Sequence, residues 1–510
     1  MNTNPIIKLD YPDPDVIRVG NIYYMITTSM YFFPGGEILK SYDLIHWEHA
    51  SFVFDRLDST DAQRLVGGKN IYSAGMWAAT FRYHEGMFYV MFVCNDTGKT
   101  YLYTSESIYG EWKKSNVKGF YHDCSLLFDD GRVFVVYGNR EIHLTELDKE
   151  LTGPLKGGLD RVIVRDSNRT PLGYEGSHIY KINGRYYVFF IHSLEDRWFR
   201  AESCFSSDSL EGKFVGGDIF VNDMGYCNSG VAQGGIVDTP FGDWYGIFFQ
   251  DRGAVGRIPV LVPLKWDDNS VLPIMSDDIN EIINPVTKSL NKDYKYESLA
   301  GNDNFDTDDG PSYGLKSIWQ FNHEPQTDKI FIDKENKCFV LTTDTVVDNV
   351  LRAVNTVTQK LFFPKCHVEV TIDASEINDG DFAGLICLQA EYAFEAITKE
   401  NGRLYLIMVR RIEDNNGNLK GEIADVQGDD GKLYDAVMYK KEINSPVRRI
   451  GFDADFSYMT DEVKFDCGTC HKMYFNLSHF TGNRAGLFYY SSKKSGGRAK
   501  FSQFVLDNRC

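Results

Sequence analysis

His84-Glu-Gly-Met-Phe-Tyr-Val90 and Asn183-Gly-Arg-Tyr-Tyr-Val-Phe189 carry one pattern, a glycine turn followed by aromatic and β-branched residues. The pattern recurs as Val19-Gly-Asn-Ile-Tyr-Tyr-Met25, Asp130-Gly-Arg-Val-Phe-Val-Val136 and Phe241-Gly-Asp-Trp-Tyr-Gly-Ile247. Glycine directly before an alternating strand marks a tight hairpin, because such turns need positive φ. The anchoring glycines Gly20, Gly86, Gly131, Gly184 and Gly242 lie 66, 45, 53 and 58 residues apart. Each interval holds about four short strands with their loops. Five such units without helical periodicity between them predict a five-bladed β-propeller.

The repeat also predicts where chemistry sits. Seven to nine residues before each glycine, at the strand that begins the hairpin, stand Asp13, Trp77, Asp123, Glu175 and Gln233. The first strand of every propeller blade lines the central axis, so these five positions face one funnel. Three of the five are carboxylic acids, where an inner strand otherwise buries apolar side chains.

Near residue 270 the pattern ends, and residues 276–309 are polar and rich in Asn and Asp, as in a linker. Short alternating strands then resume without blade repeats, among them Cys366-His-Val-Glu-Val-Thr-Ile372 and Arg484-Ala-Gly-Leu-Phe-Tyr-Tyr490. They predict a β-sandwich, jelly-roll-like in type. The chain therefore reads as all-β: a catalytic propeller over 1–290, a linker over 291–310 and a sandwich over 311–510. No catalytic constellation stands out in the second half, which is expected to buttress the propeller or to form a lid.

Composition narrows the partners. At 510 residues two domains are the prior. A net charge of −18 argues against nucleic acid, since phosphate binding needs clustered Lys and Arg. An aromatic share of 14% suits both pleated packing and stacking on sugars. No 18-residue apolar run predicts a membrane span. The opening Met1-Asn-Thr-Asn-Pro-Ile-Ile-Lys-Leu-Asp10 lacks the apolar core of a secretory signal, which predicts a cytoplasmic protein with reduced, mostly buried cysteines. Cys467-Gly-Thr-Cys470-His471 has no second pair to complete a zinc site and reads as a turn. A homo-oligomer is left open.

Several segments resemble glycoside hydrolase family 43, close to its β-xylosidase branch. Asn4-Pro-Ile-Ile-Lys-Leu-Asp-Tyr-Pro-Asp13-Pro-Asp-Val-Ile-Arg-Val-Gly20 is similar to the family's opening, whose aspartate before proline is the general base. Ser29-Met-Tyr-Phe-Phe-Pro-Gly35 and Ser41-Tyr-Asp-Leu-Ile-His-Trp47 resemble the blade segment that follows. Gly75-Met-Trp-Ala-Ala-Thr-Phe-Arg-Tyr-His84 is similar to the Trp-Ala-Pro motif, with Ala79 in place of proline. Asp123-Cys-Ser-Leu-Leu-Phe-Asp-Asp-Gly131 is similar to the motif of the third carboxylate, and Glu175-Gly-Ser-His-Ile-Tyr-Lys-Ile-Asn-Gly184 to that of the general acid. Gly256-Arg257-Ile-Pro-Val matches a segment whose arginine reaches the sugar, and the second half resembles the accompanying β-sandwich.

The resemblance implies an inverting hydrolase that releases terminal non-reducing xylose from β-1,4-xylo-oligosaccharides. Its alternatives are an α-L-arabinofuranosidase, or an enzyme with both activities, and behind these a non-catalytic sugar-binding propeller. Asp13 would activate water across a gap of roughly 6.5–9.5 Å from Glu175, the acid. Asp123 would set negative charge beside Glu175 and orient it. Trp77, Phe32, Met30, His178, Gln233 and Arg257 complete the expected sugar-binding set. Asp15 stands where a serine is usual, which makes it a rival base on the strand face of Asp13. Met30 replaces a frequent sugar-touching aromatic. Gln233-Gly-Gly235 lacks the histidine used beside a bound cation, so no cofactor is predicted and a structural calcium is left open.

Overall fold

Five four-stranded antiparallel meanders, each begun by one of the glycine hairpins, form the first half of the chain. The computed structural model describes residues 4–166, 169–267, 270–413, 433–457 and 460–508; Ser167, Asn168, Cys510 and the rest lie outside the described residues. The inner strands are Asp15–Val19, Thr80–His84, Ser125–Asp129, Glu175–Ile182 and Val231–Asp238. Each pairs with the strand that follows its hairpin. In the turns Glu85-Gly86, Asp130-Gly131 and Asn183-Gly184 both residues have positive φ, the geometry whose twist matches the flanking strands.

Among the described residues no strand is shared between the first and last blades, and the ring is closed by the N-terminal segment. The N-terminal segment runs along Arg257–Lys265, the third strand of the last blade. Ile6 and Tyr11 donate their amides to the carbonyls of Pro259 and Arg257, while Asn4 exchanges two hydrogen bonds with the Leu261 backbone. Arg18 pairs with Asp238 across the same seam.

After the last blade come two short helices, Ile279–Ile282 and Asn284–Lys288. The polar stretch that follows is not loose chain. Tyr294 and Tyr296 dock on the first blade by hydrogen bonds to Glu48 and to the Tyr42 amide. Phe305 and Trp319 then enter the sandwich core. Among the described residues this second half contributes seven strands to each of two antiparallel sheets, which with the propeller gives the all-β architecture expected. No helix of the described residues is long and apolar enough to cross a membrane. None of the nine described cysteines is in a disulfide; six are buried and Cys227 is exposed. Cys467 lies in the turn between strands Glu462–Phe465 and Cys470–Lys472.

One of these sheets does not stop at the sandwich and has an eighth strand. Its edge strand is Phe32–Phe33, contributed by the first blade and paired with Gln320–Asn322. Beneath this joint lies a buried ion pair, Lys360 Nζ to Glu37 Oε2 at 2.7 Å, with Lys360 also 3.8 Å from the centre of the Tyr11 ring. Against the cost of burial, Lys360 and His49 pull the Glu37 carboxyl down to about 2.

Breaking a buried pair on one side leaves an uncompensated charge. Glu37→Gln is therefore expected to destabilise the protein by about 3–5 kcal/mol, read as a lowered thermal midpoint. Glu37→Gln with Lys360→Met should recover most of the loss. A single variant as stable as the wild type would contradict this view of the interface.

Candidate active site

The starts of the inner strands surround a cavity of about 800 Å³, and Asp13, Trp77, Asp123, Glu175 and Gln233 all line it. Local backbone conformation explains how side chains beside regular strands reach it. Asp13, Asp123 and Gln233 take φ of 53°, 48° and 58°, and Gly176, next to Glu175, takes 66°. Left-handed residues are unusual outside glycine and are retained where the surroundings enforce them. Here they interrupt the in-and-out alternation of the strands. Pairing also shifts between Glu175 and His178 and between Ala232 and Gly234, as β-bulges do beside active sites.

Asp13 is buried with both oxygens occupied. Thr28 Oγ1 donates to Oδ2 at 2.7 Å and Arg257 Nη1 to Oδ1 at 2.9 Å. Arg257 is in turn held from several sides. Its amide donates to Asp10 Oδ1 at 2.7 Å, and its guanidinium lies 4.7 Å from the Phe480 ring and 5.3 Å from that of Phe249. Its Nε has no hydrogen-bond partner among the described residues.

Across the cavity, Asp123 Oδ2 accepts from the Gly176 amide at 3.2 Å, which ties the third carboxylate to the backbone that presents Glu175. Glu175 is less buried than the other two acids, its side chain 19% exposed, and Asn139 donates its amide to Oε2. His122 Nε2 sits 3.7 Å from Asp123 and 3.8 Å from Glu175. Burial opposes charge on this imidazole, yet Asp123, Glu175 and Asp13 together push it up to about 9. Burial, helped by the charges of Glu175 and Asp13, pushes the Asp123 carboxyl up against the pull of His122. The site thus sets the His122 cation beside two acids, of which Asp123 is pushed toward its neutral form.

Gln233 lies beside Glu175: a Cβ added at Gly176 would fall 2.6 Å from its side chain, so only glycine lets the two blades approach there. The Gln233 amide rests on Glu202, whose carboxyl burial pushes up to about 8.

Met30 and Arg257 also line the cavity. Phe32 and His178 do not, which corrects two sequence expectations. Phe32 turns away to pair with Asn322 and caps the Arg484 guanidinium at 3.4 Å. His178 is buried at the axis, 3.3 Å from Asp15. Asp15 is no rival base. It is fully buried and bound to Arg82 at 2.7 Å, because the left-handed turn at Asp13 separates the two aspartates. Arg82 also donates to Ser125 Oγ and the Leu126 carbonyl. The guanidinium thus supplies a positive charge at the axis against the buried Asp15. His122, Asp123 and Glu175 are the described residues whose possible ligand atoms converge, all within 4.8 Å of one another.

Sequence reasoning missed His122, Asn139 and the residues that reach in from the sandwich. Phe475, Leu477 and Phe480 line the cavity, and Phe480 lies 6.0 Å from Trp77, supplying a wall expected of Phe32. Their segment is strapped to the propeller: Gly482 donates to Asp10 Oδ2, Asn483 to the Ala254 carbonyl, and His479 meets Tyr31 and stacks on Tyr72. The signal for His122 was its place directly before the repeat position of Asp123; nothing periodic marked the others.

Comparison with known proteins accounts for both halves of the chain. The family model described as Glycosyl hydrolases family 43 matches residues 2–271, and that of the Beta xylosidase C-terminal Concanavalin A-like domain matches residues 302–507. The chain is 28% identical over 360 residues to a beta-xylosidase of Formosa agariphila, covering 63% of this chain and 58% of that protein. It is 28% identical over 325 residues to a xylosidase/arabinosidase of Butyrivibrio fibrisolvens, covering 56% and 59%. The solved structure of a bifunctional GH43-CE protein of Bacteroides eggerthii is 32% identical, with a TM-score of 0.86 over 99% of this chain and 64% of that one. The match thus spans less than two thirds of each of these three proteins.

Because the carboxylates hold the His122 proton, Asp123→Asn should lower the midpoint of the His122 titration from about 9. NMR of the ring carbons, assigned with His122→Gln, reads this directly. An unchanged midpoint would mean that Asp123 does not govern the charge of the site.

Proposed function

The chain belongs to glycosyl hydrolase family 43, and on that premise we propose that it releases terminal non-reducing xylose from β-1,4-xylo-oligosaccharides with inversion. The observation that carries this reading is the unequal setting of two carboxyls in one cavity. Asp13 is buried and accepts from two donors, a setting suited to taking a proton from water. Glu175 is the more accessible acid, beside a cation and a buried carboxyl, and suits delivery of a proton to the departing oxygen.

Hydrolysis requires both events on opposite faces of the sugar. Water positioned by Asp13 attacks the anomeric carbon and loses a proton to Oδ1 or Oδ2. The bond to the leaving oxygen breaks as that oxygen takes the proton of Glu175. Asp123 serves as a positioning residue through the Gly176 amide. Arg257 lines the cavity and, as a rigid fork, holds Asp13 through Nη1, which fixes the base against the sugar. Trp77, Met30 and Phe480 give the apolar surface for the ring. The sandwich segment that closes one side of the cavity supports attack at a chain end. The double name of the Butyrivibrio relative supports arabinofuranosides as second substrates, which paired chromogenic xyloside and arabinofuranoside assays resolve.

General acid catalysis contributes typically about 10²–10⁴-fold. Glu175→Ala is expected to cost that much in kcat on xylobiose and far less on an aryl xyloside with an activated leaving group. Equal losses on both would contradict its role. Asp13→Ala should abolish turnover of both; full hydrolysis of xylobiose by this variant would overturn the mechanism.

A further inference from the structure

The cavity extends beyond the acids. Its volume lies in the upper part of the range of about 300–1,000 Å³ usual for small-molecule pockets, more room than a single pentose fills. Exposure sets the direction: Arg257 is 3% exposed at the floor, the Glu175 side chain 19%, and Trp198 56% at the mouth. Trp198 is the most exposed aromatic residue of the described lining.

An isolated surface tryptophan would need no explanation. This one is built into the site. The Arg200 guanidinium backs its ring at 5.3 Å and is itself held by Asp251 at 2.6 Å. Asp251 faces Arg257 directly across their strand pair. The Phe249 ring lies 5.0 Å from Arg200 and 5.3 Å from Arg257, so a stack of cations and rings connects the indole to the partner of Asp13. On the other side, Leu172 and Ser193 exchange hydrogen bonds. That exchange ties the turn before Glu175 to the hairpin that carries Trp198. Phe199, next in sequence, is buried and anchors the tip.

We propose that Trp198, backed by Arg200, is the platform on which the leaving-group sugar of the oligosaccharide stacks, outward from the bond that Glu175 protonates. The inference rests on the reading of function above and adds the residue that makes the enzyme prefer sugar leaving groups. A β-xylopyranosyl unit suits the platform because it has no exocyclic carbon and offers a flat C–H face to the indole. Arg200 and Asp251 also line the cavity, a donor and an acceptor for sugar hydroxyls.

The test compares xylotriose with β-xylosyl fluoride, which has no leaving sugar. Trp198→Ala should lower kcat/KM for xylotriose about tenfold, mainly through KM, and leave the fluoride within about twofold. Trp198→Phe should restore most of the loss. Equal losses on both substrates, or no loss on xylotriose, would overturn the role of Trp198 while leaving the functional reading intact. A wild-type enzyme inactive on both substrates would overturn that reading and this inference together.

Discussion

The buried ion pair between Arg257 and Asp13 is the interaction on which the site depends. A guanidinium and a carboxylate taken out of water are stable only when geometry is tight and the remaining groups are satisfied. Asp10 supplies much of that geometry. One of its oxygens holds the Arg257 amide and the other the Gly482 amide, so a single side chain joins the last blade to the sandwich segment that carries Phe480. The Phe480 ring and carbonyl then face the same guanidinium. The setting of Asp13 is thus shared by both halves of the chain, and the sandwich is part of the catalytic cavity as well as its support.

Several buried carboxylates around the axis face a cation. Asp15 faces Arg82, Asp13 faces Arg257, and Glu37 faces Lys360. Asp123 and Glu175 share His122, and Glu202, which has no ion pair among the described residues, is pushed by burial toward the neutral acid. A site meant to move protons needs groups poised near neutrality. Asp123, pushed up to about 7, stands in that range, while His122 at about 9 and the ion-paired Glu37 stay charged.

Much of this was legible in the sequence because the propeller repeats. The glycine of each hairpin needs positive φ, and the residues a fixed distance before it share one place on the axis. Hence Asp13, Trp77, Asp123, Glu175 and Gln233 fell into one cavity. What failed were the readings that relied on alternation or neighbourhood. Phe32 was claimed by a strand pairing with residues near 320, and the left-handed turn at Asp13 removed Asp15 from the cavity. Phe480 and Trp198 were invisible for a different reason. Phe480 meets Arg257 across 223 residues, and Trp198 lies on a hairpin tip that no repeat position marks. Such contacts are set by the docking of domains and the splay of loops, for which local patterning carries no signal.

The central claim, two carboxyls acting on opposite faces of the sugar, is tested most directly by proton NMR of the first turnovers of xylobiose. Inversion predicts that the xylose released from the β-linked non-reducing end appears first as the α-anomer, ahead of mutarotation. Early β-xylose would mean a retained configuration and a covalent intermediate, and would contradict the assignment of Asp13 as base and Glu175 as acid.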